Sequence, residues 1–349
     1  MPTYRVIVEY EGTRYRGWQE QENARTVGGE LRRALARVVG PVLDLGASGR
    51  TDAGVHALGQ VAHLRLGRSI DAGEVRRQVN DLLPTDIEVL ALELAPERFH
   101  ARHDALLRSY VYQLSRRRTA FAKPFVWWVK RPLETARLQE AWSMLVGRHD
   151  FARFCEQPAS HPSTVVVVDR AEVAEDGDLV LLRLVASHFL WKMVRRLIGT
   201  VVEVGTGDLP ADLFAHMIAG YELPGGAGGP AAWTAPPSGL FLERAIYTGD
   251  PPLPALAAIT PVTTAPVGSP VLAVRTESRA GSRPAPGRER RDDRSRGSAG
   301  RPAGAGPRDA AGAPRGSARP RDGAPRKGGT ERPGPPRRPP GRPPGRPVR

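Results

Sequence analysis

The residues with the clearest capacity for chemistry are Gly49-Arg50-Thr51-Asp52-Ala53-Gly54-Val55-His56-Ala57. They set a guanidinium, a hydroxyl and a carboxylate side by side among small neighbours. Small residues let a backbone approach a ligand closely and adopt dihedrals closed to larger ones. A carboxylate held beside a fixed cation keeps both its charge and its orientation. Such a group acts as a nucleophile or as an electrostatic stabiliser. An aspartate among glycine and alanine also reads as a plain turn residue bonding its own backbone.

The composition bounds what this loop can work on. The chain has 349 residues, enough for one large or two ordinary domains. Its formal charge is +14, but of 51 basic and 37 acidic residues, 21 and 7 fall in 275–349, leaving 30 of each in 1–274. The excess belongs to the tail, so any nucleic-acid site in the body must be a local patch. The single cysteine, Cys155, excludes internal disulfides and multi-cysteine zinc sites. Beside Phe151 and Phe154 it is expected to be a buried apolar residue. His56, His63, His100 and His103 lie on separate elements without metal-ligand spacing, so no metal and no cofactor is expected. No apolar run approaches the roughly 20 residues of a membrane helix. The start, Met1-Pro2-Thr3-Tyr4-Arg5-Val6, shows no signal-peptide core. The expectation is a soluble cytoplasmic protein with no membrane contact.

The elements that must position the loop follow from periodicity. Tyr4 to Tyr10 alternates as a strand, with Val6 and Val8 on one side. Leu31, Leu35, Val38 and Val39 mark a helix ended by Gly40. The motif loop runs into an alternating strand, Gly59 to Leu66, and a helix over Glu74 to Leu83 and a strand over Ile87 to Leu94 follow. The order then repeats: a strand at Tyr110 to Leu114, a helix through Leu138, Ala141, Trp142 and Leu145, and strands over Val165 to Val173 and Leu179 to Val185. Leu190, Met193, Val194, Leu197, Ile198 and Val201 mark the clearest helix, and Leu240 to Tyr247 a closing strand. Sheet and helices in this order make an α+β protein. Every Phe, Trp and Tyr lies at or before Tyr247, and the following 102 residues hold none. Such a segment buries too little apolar surface to offset its conformational entropy. The expected organisation is therefore an N-terminal half over 1–105, a second half over 106–248, and a Pro/Gly/Arg-rich linker and disordered tail over 249–349. The tail's arginines suit loose phosphate contact or solubility alone.

Further segments stand in a fixed order around the loop: Tyr10-Glu11-Gly12-Thr13-Arg14-Tyr15-Arg16-Gly17-Trp18-Gln19, Phe99-His100-Ala101-Arg102, Arg108-Ser109-Tyr110-Val111-Tyr112, Phe189 to Arg196, and Ser238-Gly239-Leu240-Phe241-Leu242. Together with the nine-residue motif they resemble the TruA family of tRNA pseudouridine synthases over about 1–247, with Glu11 where the family more often has Asp. The resemblance implies two ferredoxin-like halves fused into one pseudo-symmetric antiparallel sheet with helices on one face. It implies Asp52 as the catalytic carboxylate, Arg50 in base flipping, Tyr110 stacking on the uracil, Arg195 directed toward Asp52, and Leu242 in the uracil pocket. It also implies tRNA as partner, a homodimer, and uridines 38, 39 and 40 of the anticodon stem-loop as targets.

Each residue keeps a simpler reading beside the implied one. Arg50 and Asp52 can form an ordinary ion pair. Lys192, Arg195 and Arg196, at i, i+3 and i+4, can be a solvated helix face. Tyr110 can be strand core, sharing its side of the pleat with Tyr112. A non-catalytic RNA-binding module or chaperone is the alternative function. A carboxylate-pair glycosidase is set aside for want of a second acidic motif.

Overall fold

Tyr4, Val6, Val8 and Tyr10 alternate along β1 (Thr3–Tyr10) and are all buried, the signature of a strand with one face on the core. Among the described residues this strand lies within one mixed sheet of ten strands accompanied by five α-helices. The computed structural model describes residues 1–221 and 229–262, all within one compact unit, Met1–Ala273. No helix among the described residues is long and apolar enough to cross a membrane.

The first half continues through α1 (Val27–Val39), β2 (Val42–Ala47), β3 (His56–Leu66), α2 (Ala72–Leu82) and β4 (Ile87–Ala95). The second holds β5 (Leu107–Ser115), β6 (Trp127–Trp128), α3 (Thr135–Ser143), β7 (Gly147–Asp150), β8 (Val165–Asp176), β9 (Leu179–Ala186), α4 (Met193–Gly205), α5 (Ala211–Ile218) and β10 (Leu240–Ile246). The strands run β4-β1-β3-β10-β5-β9-β8-β7, with β2 on β3 and β6 on β5. In both halves the fourth strand of a βαββαβ unit lies beside the first, the first beside the third, and the third beside the second. The ferredoxin-like order therefore occurs twice, as β1-α1-β2-β3-α2-β4 and β5-α3-β8-β9-α4-β10.

The α+β class and the one-sided helices match the expectation. Leu31 and Leu35 of α1, Leu138 and Trp142 of α3, and Leu197 and Val201 of α4 share one apolar cluster with the inward residues of the strands. The opposite face is covered by irregular chain. Ala101 and Ala105 pack with Val61 and Tyr247, while Leu256, Ala258 and Val262 pack against Leu179 and Leu181.

One expectation needs correcting: the sheet is not antiparallel throughout. β3 and β10 meet in parallel, through His56–Phe241 and Ala57–Leu242, and β6 runs parallel to β5. The cause is the way two units share one sheet. β2 pairs with β3 from Val42–Leu66 to Ala47–Ala62 and then leaves it. β10 occupies the freed side at the other end of β3, bringing the third strand of one unit beside the fourth of the other. The nine-residue motif spans the point where β2 and β3 separate, so the seam between the halves runs through it.

The described start of the linker expected over 249–349 is packed onto the sheet. The Gln113 side chain accepts from the Ile259 amide at 2.8 Å and donates to Thr260 Oγ1 at 2.9 Å. The part of the expected tail over 263–349 lies outside the described residues. A chain ending at Asp250 is expected to be less stable than one ending at Val262 by about 2 kcal/mol or more, the scale of one apolar side chain uncovered plus the hydrogen bonds of Gln113 to Ile259 and Thr260 lost. Urea unfolding of the two proteins tests this, and coincident transitions would show that 251–262 adds nothing.

Candidate active site

The motif loop is held on one side by the segment Tyr10 to Trp18. Tyr10 Oη and Thr51 Oγ1 share a hydrogen bond of 2.7 Å, the Trp18 amide donates to the Thr51 carbonyl at 3.2 Å, and the Gly54 amide donates to the Tyr15 carbonyl at 3.2 Å. Glycine is required where the segments touch. A Cβ on Gly12 would lie 1.9 Å from the Val55 carbonyl oxygen, and one on Gly17, at φ +88°, 2.3 Å from that of Thr51. From the β3 side, Gln60 accepts from Ser48 Oγ at 2.7 Å and donates to the Gly49 carbonyl at 2.8 Å. Asp52 does begin a turn: its carbonyl accepts from the Val55 amide at 3.2 Å, and Gly54 has φ +78°, the positive value a type II turn needs at its third position. The turn uses the backbone of Asp52 and leaves its carboxylate for other work.

That carboxylate faces the start of α4. Asp52 Oδ2 lies 3.6 Å from Arg195 Nη1, and the two side chains are 24% and 15% exposed. Burial pushes the Asp52 carboxyl above its ordinary value. The Arg195 guanidinium opposes this most strongly, helped by Lys192 and Trp191. The ionised form therefore depends on the cation beside it, a stronger dependence than that of a surface aspartate. Arg195 is itself fixed, since its Nε donates to the Ala235 carbonyl at 2.7 Å and its own carbonyl accepts from the Ala235 amide at 3.0 Å.

Tyr110 and Leu242 lie on adjacent strands as register partners, and Leu242 also faces Ala57, the last residue of the motif. Tyr110 is buried, with Phe189 packed edge-on at 5.0 Å between ring centroids. Burial raises its phenol far above the ordinary value, and the nearby Tyr10 and Asp52 add to the shift, so it remains a neutral hydroxyl. Leu242 is completely buried. Arg50 is exposed and makes no ion pair with Asp52 among the described residues. The structure thus groups Asp52, Arg195, Tyr110 and Leu242 at the seam, with Arg50 on the rim of the same loop.

The two basic neighbours of Arg195 have a carboxylate partner of their own in Glu156. Lys192 is half-buried 3.6 Å from Glu156, on the αL residue before α4. Arg196, which a solvated helix face would leave at the surface, turns inward and binds Glu156 and the Cys155 carbonyl. Consecutive helical residues point about 100° apart, so only one of two adjacent arginines can face Asp52. His56 serves the far side of the sheet. Its Nδ1 accepts from the Gly12 amide at 3.0 Å, which leaves the proton on Nε2 to donate to the Pro124 carbonyl at 3.0 Å. Burial lowers its pKa and it stacks on Phe241, so it is a neutral structural residue.

Comparison with known proteins bears on this geometry. The sequence model of a family described as tRNA pseudouridine synthase matches residues 6–104 and 141–248, which contain all four grouped residues except Tyr110. The chain belongs to the tRNA pseudouridine synthase family. It is 39% identical to tRNA pseudouridine synthase A of Afipia carboxidovorans over 250 residues, covering 71% of this chain and 100% of that protein. It is equally similar to the proteins of the same name from Brucella ovis and Brucella suis, over 252 residues, 71% of this chain and 98% of each. Among solved structures, an archaeal box H/ACA Nop10–Cbf5 complex aligns with 57% of this chain and 43% of its own at 13% identity and a TM-score of 0.27, too slight a likeness to inform the site. The family is one of isomerases, so the chain is an enzyme of tRNA modification.

The arrangement suits that chemistry. An isomerisation that moves uracil from its ring nitrogen to its ring carbon on ribose is redox-neutral. It calls for an ionised carboxylate at the sugar or base and a flat surface for the loosened ring.

Proposed function

We propose that this enzyme converts uridine to pseudouridine at positions 38, 39 and 40 of the tRNA anticodon stem-loop, with Asp52 as the acting carboxylate. The observation that carries the reading is the Asp52–Arg195 pair at the seam, on a loop fixed from both sides and next to Tyr110. Asp52 acts on the target nucleotide as its nucleophile or as the anion that stabilises a cationic sugar. Arg195 keeps it ionised, and Tyr110 offers a ring face to the uracil. Arg50, exposed and without an ion pair among the described residues, is free to enter the stack as the base flips out, a step required because the reacting atoms are inaccessible in a helix. Recognition rests on shape and phosphate contact, which lets neighbouring uridines reach one carboxylate. The working form is a cytoplasmic homodimer.

The test uses tRNA anticodon stem-loops carrying a single uridine, tritiated at carbon 5, at position 38, 39 or 40. Bond formation at carbon 5 displaces its hydrogen, so tritium release reports the isomerisation. Release from all three is expected, with none from a stem-loop whose only uridine lies elsewhere. Release from other sites alone would keep the chemistry and overturn the assigned positions.

A further inference from the structure

Arg108 is buried, 8% exposed, with no carboxylate among its hydrogen-bond or ion-pair partners in the described residues. Its Nη1 donates to the carbonyls of Ala105 at 3.0 Å and Ser187 at 2.8 Å. Its Nη2 donates to those of Ser48 at 3.1 Å and Arg102 at 2.5 Å. All four terminal protons of the guanidinium are thus committed to backbone, so the fork that would grip an RNA phosphate is already used. Burying a cation against neutral dipoles alone is costly, and burial lowers its pKa accordingly. A packing role would be met more cheaply by an apolar residue.

The identity of the four carbonyls suggests what the cost secures. Ser48 immediately precedes the motif that carries Asp52. Ser187 directly follows β9 and begins the run through Phe189, which packs on Tyr110, into α4 and Arg195. Arg102 and Ala105 belong to the segment covering the sheet's other face. Arg108 itself lies two residues before Tyr110 on β5, on the same side of the pleat. One planar group therefore ties together the segments that present Asp52, Tyr110 and Arg195.

We propose that Arg108 is a positioning residue for the isomerisation, a four-carbonyl clamp that sets the spacing of Asp52 from Arg195 and Tyr110. The inference rests on the reading of Asp52 as the acting carboxylate. A lysine would not substitute, because a single ammonium cannot span acceptors that a rigid fork reaches on two nitrogens.

The experiment compares full-length wild type, Arg108→Ala, Arg108→Lys and Asp52→Asn in single-turnover tritium release across pH, with tRNA affinity measured separately. Both Arg108 variants are expected to lose about 10²-fold in rate, the scale of a misplacement near 1 Å, with tRNA affinity kept. Their acid limb should move to higher pH, because Asp52 is no longer held against its cation. Added guanidinium should restore part of the Arg108→Ala rate and none of the Asp52→Asn rate. A loss matched by the fraction unfolded, or by weaker tRNA binding, with the acid limb unmoved, would overturn the proposal. If Arg108→Ala does not fold, Arg108→Lys decides, and a wild-type rate for it overturns the clamp. Full activity in Asp52→Asn would instead sink the reading of Asp52. An inactive Asp52→Asn beside fully active Arg108 variants would sink the clamp alone.

Discussion

Asp52→Asn is expected to stop pseudouridine formation while leaving the protein folded and tRNA bound. The substitution removes a charge and keeps the shape, so the turn from Asp52 to Val55, made by backbone atoms, is undisturbed. The loss in rate should be on the order of 10⁴-fold or more, the scale at which a principal catalytic group is removed from a preorganised site. Stability should hold or rise slightly. Burial disfavours the ionised carboxylate here, so at neutral pH the fold bears a cost that a neutral amide does not impose, a common trade at functional sites. Arg195 keeps its bond to Ala235 and some contact with solvent, so the lost partner does not strand it. The melting temperature should stay within about 4 °C of wild type, the shift that ~1 kcal/mol produces in a domain of this size. Tritium release, filter binding and thermal melting of the two proteins make the test. A large fall in affinity or melting temperature would show that Asp52 holds the loop together, and substantial turnover would move the chemistry elsewhere.

The sequence and the structure agree best where a short period governs an element, and least where function depends on contacts between distant backbones. Alternation along Tyr4 to Tyr10 and the stripe Leu31, Leu35, Val39 are enough to name β1 and α1, because burial on one face leaves a period in the chain. The partner of a strand leaves none. Nothing local in Leu240 to Ile246 says that it will lie parallel to β3, and that pairing creates the seam. The irregular cover of the far face is equally silent. Leu256, Ala258 and Val262 sit among prolines without a helix or strand period, yet they pack on Leu179 and Leu181. At the site, motif resemblance singled out Asp52 and Arg195, and the structure brings them to 3.6 Å. It did not distinguish the inward turn of Arg196, which depends on where α4 begins. The start of α4 in turn follows from the left-handed residue Lys192. Arg108 stands within one of the family-like segments, and its role is not legible there, since contact with four carbonyls constrains no other side chain and so leaves no trace at those positions.

Arg195→Met probes the electrostatic half of the site. Methionine keeps most of the aliphatic stem and removes the charge. In the wild type, burial raises the Asp52 pKa and Arg195 pulls it back, with Lys192 assisting. The reaction uses the ionised form, so the rate falls as pH drops through that pKa, and the acid limb should lie above that of an ordinary exposed aspartate. Without the guanidinium, desolvation is opposed only by Lys192 and Trp191. The pKa then rises further, and the limb should move up by about one to three pH units, the range an opposite charge within contact distance commands. The loss in rate is therefore largest on the acid side and shrinks as pH rises, which separates lost ionisation from lost geometry. A uniform loss at every pH would mean that Arg195 acts by anchoring the Ala235 segment instead. Adding Arg50→Ala as a comparison sharpens the distinction, because Arg50 is exposed and unpaired with Asp52. Its removal should lower turnover without moving the acid limb. The decisive quantity is the position of that limb in single-turnover rates. If it stays in place in Arg195→Met, the charge on Asp52 does not depend on α4.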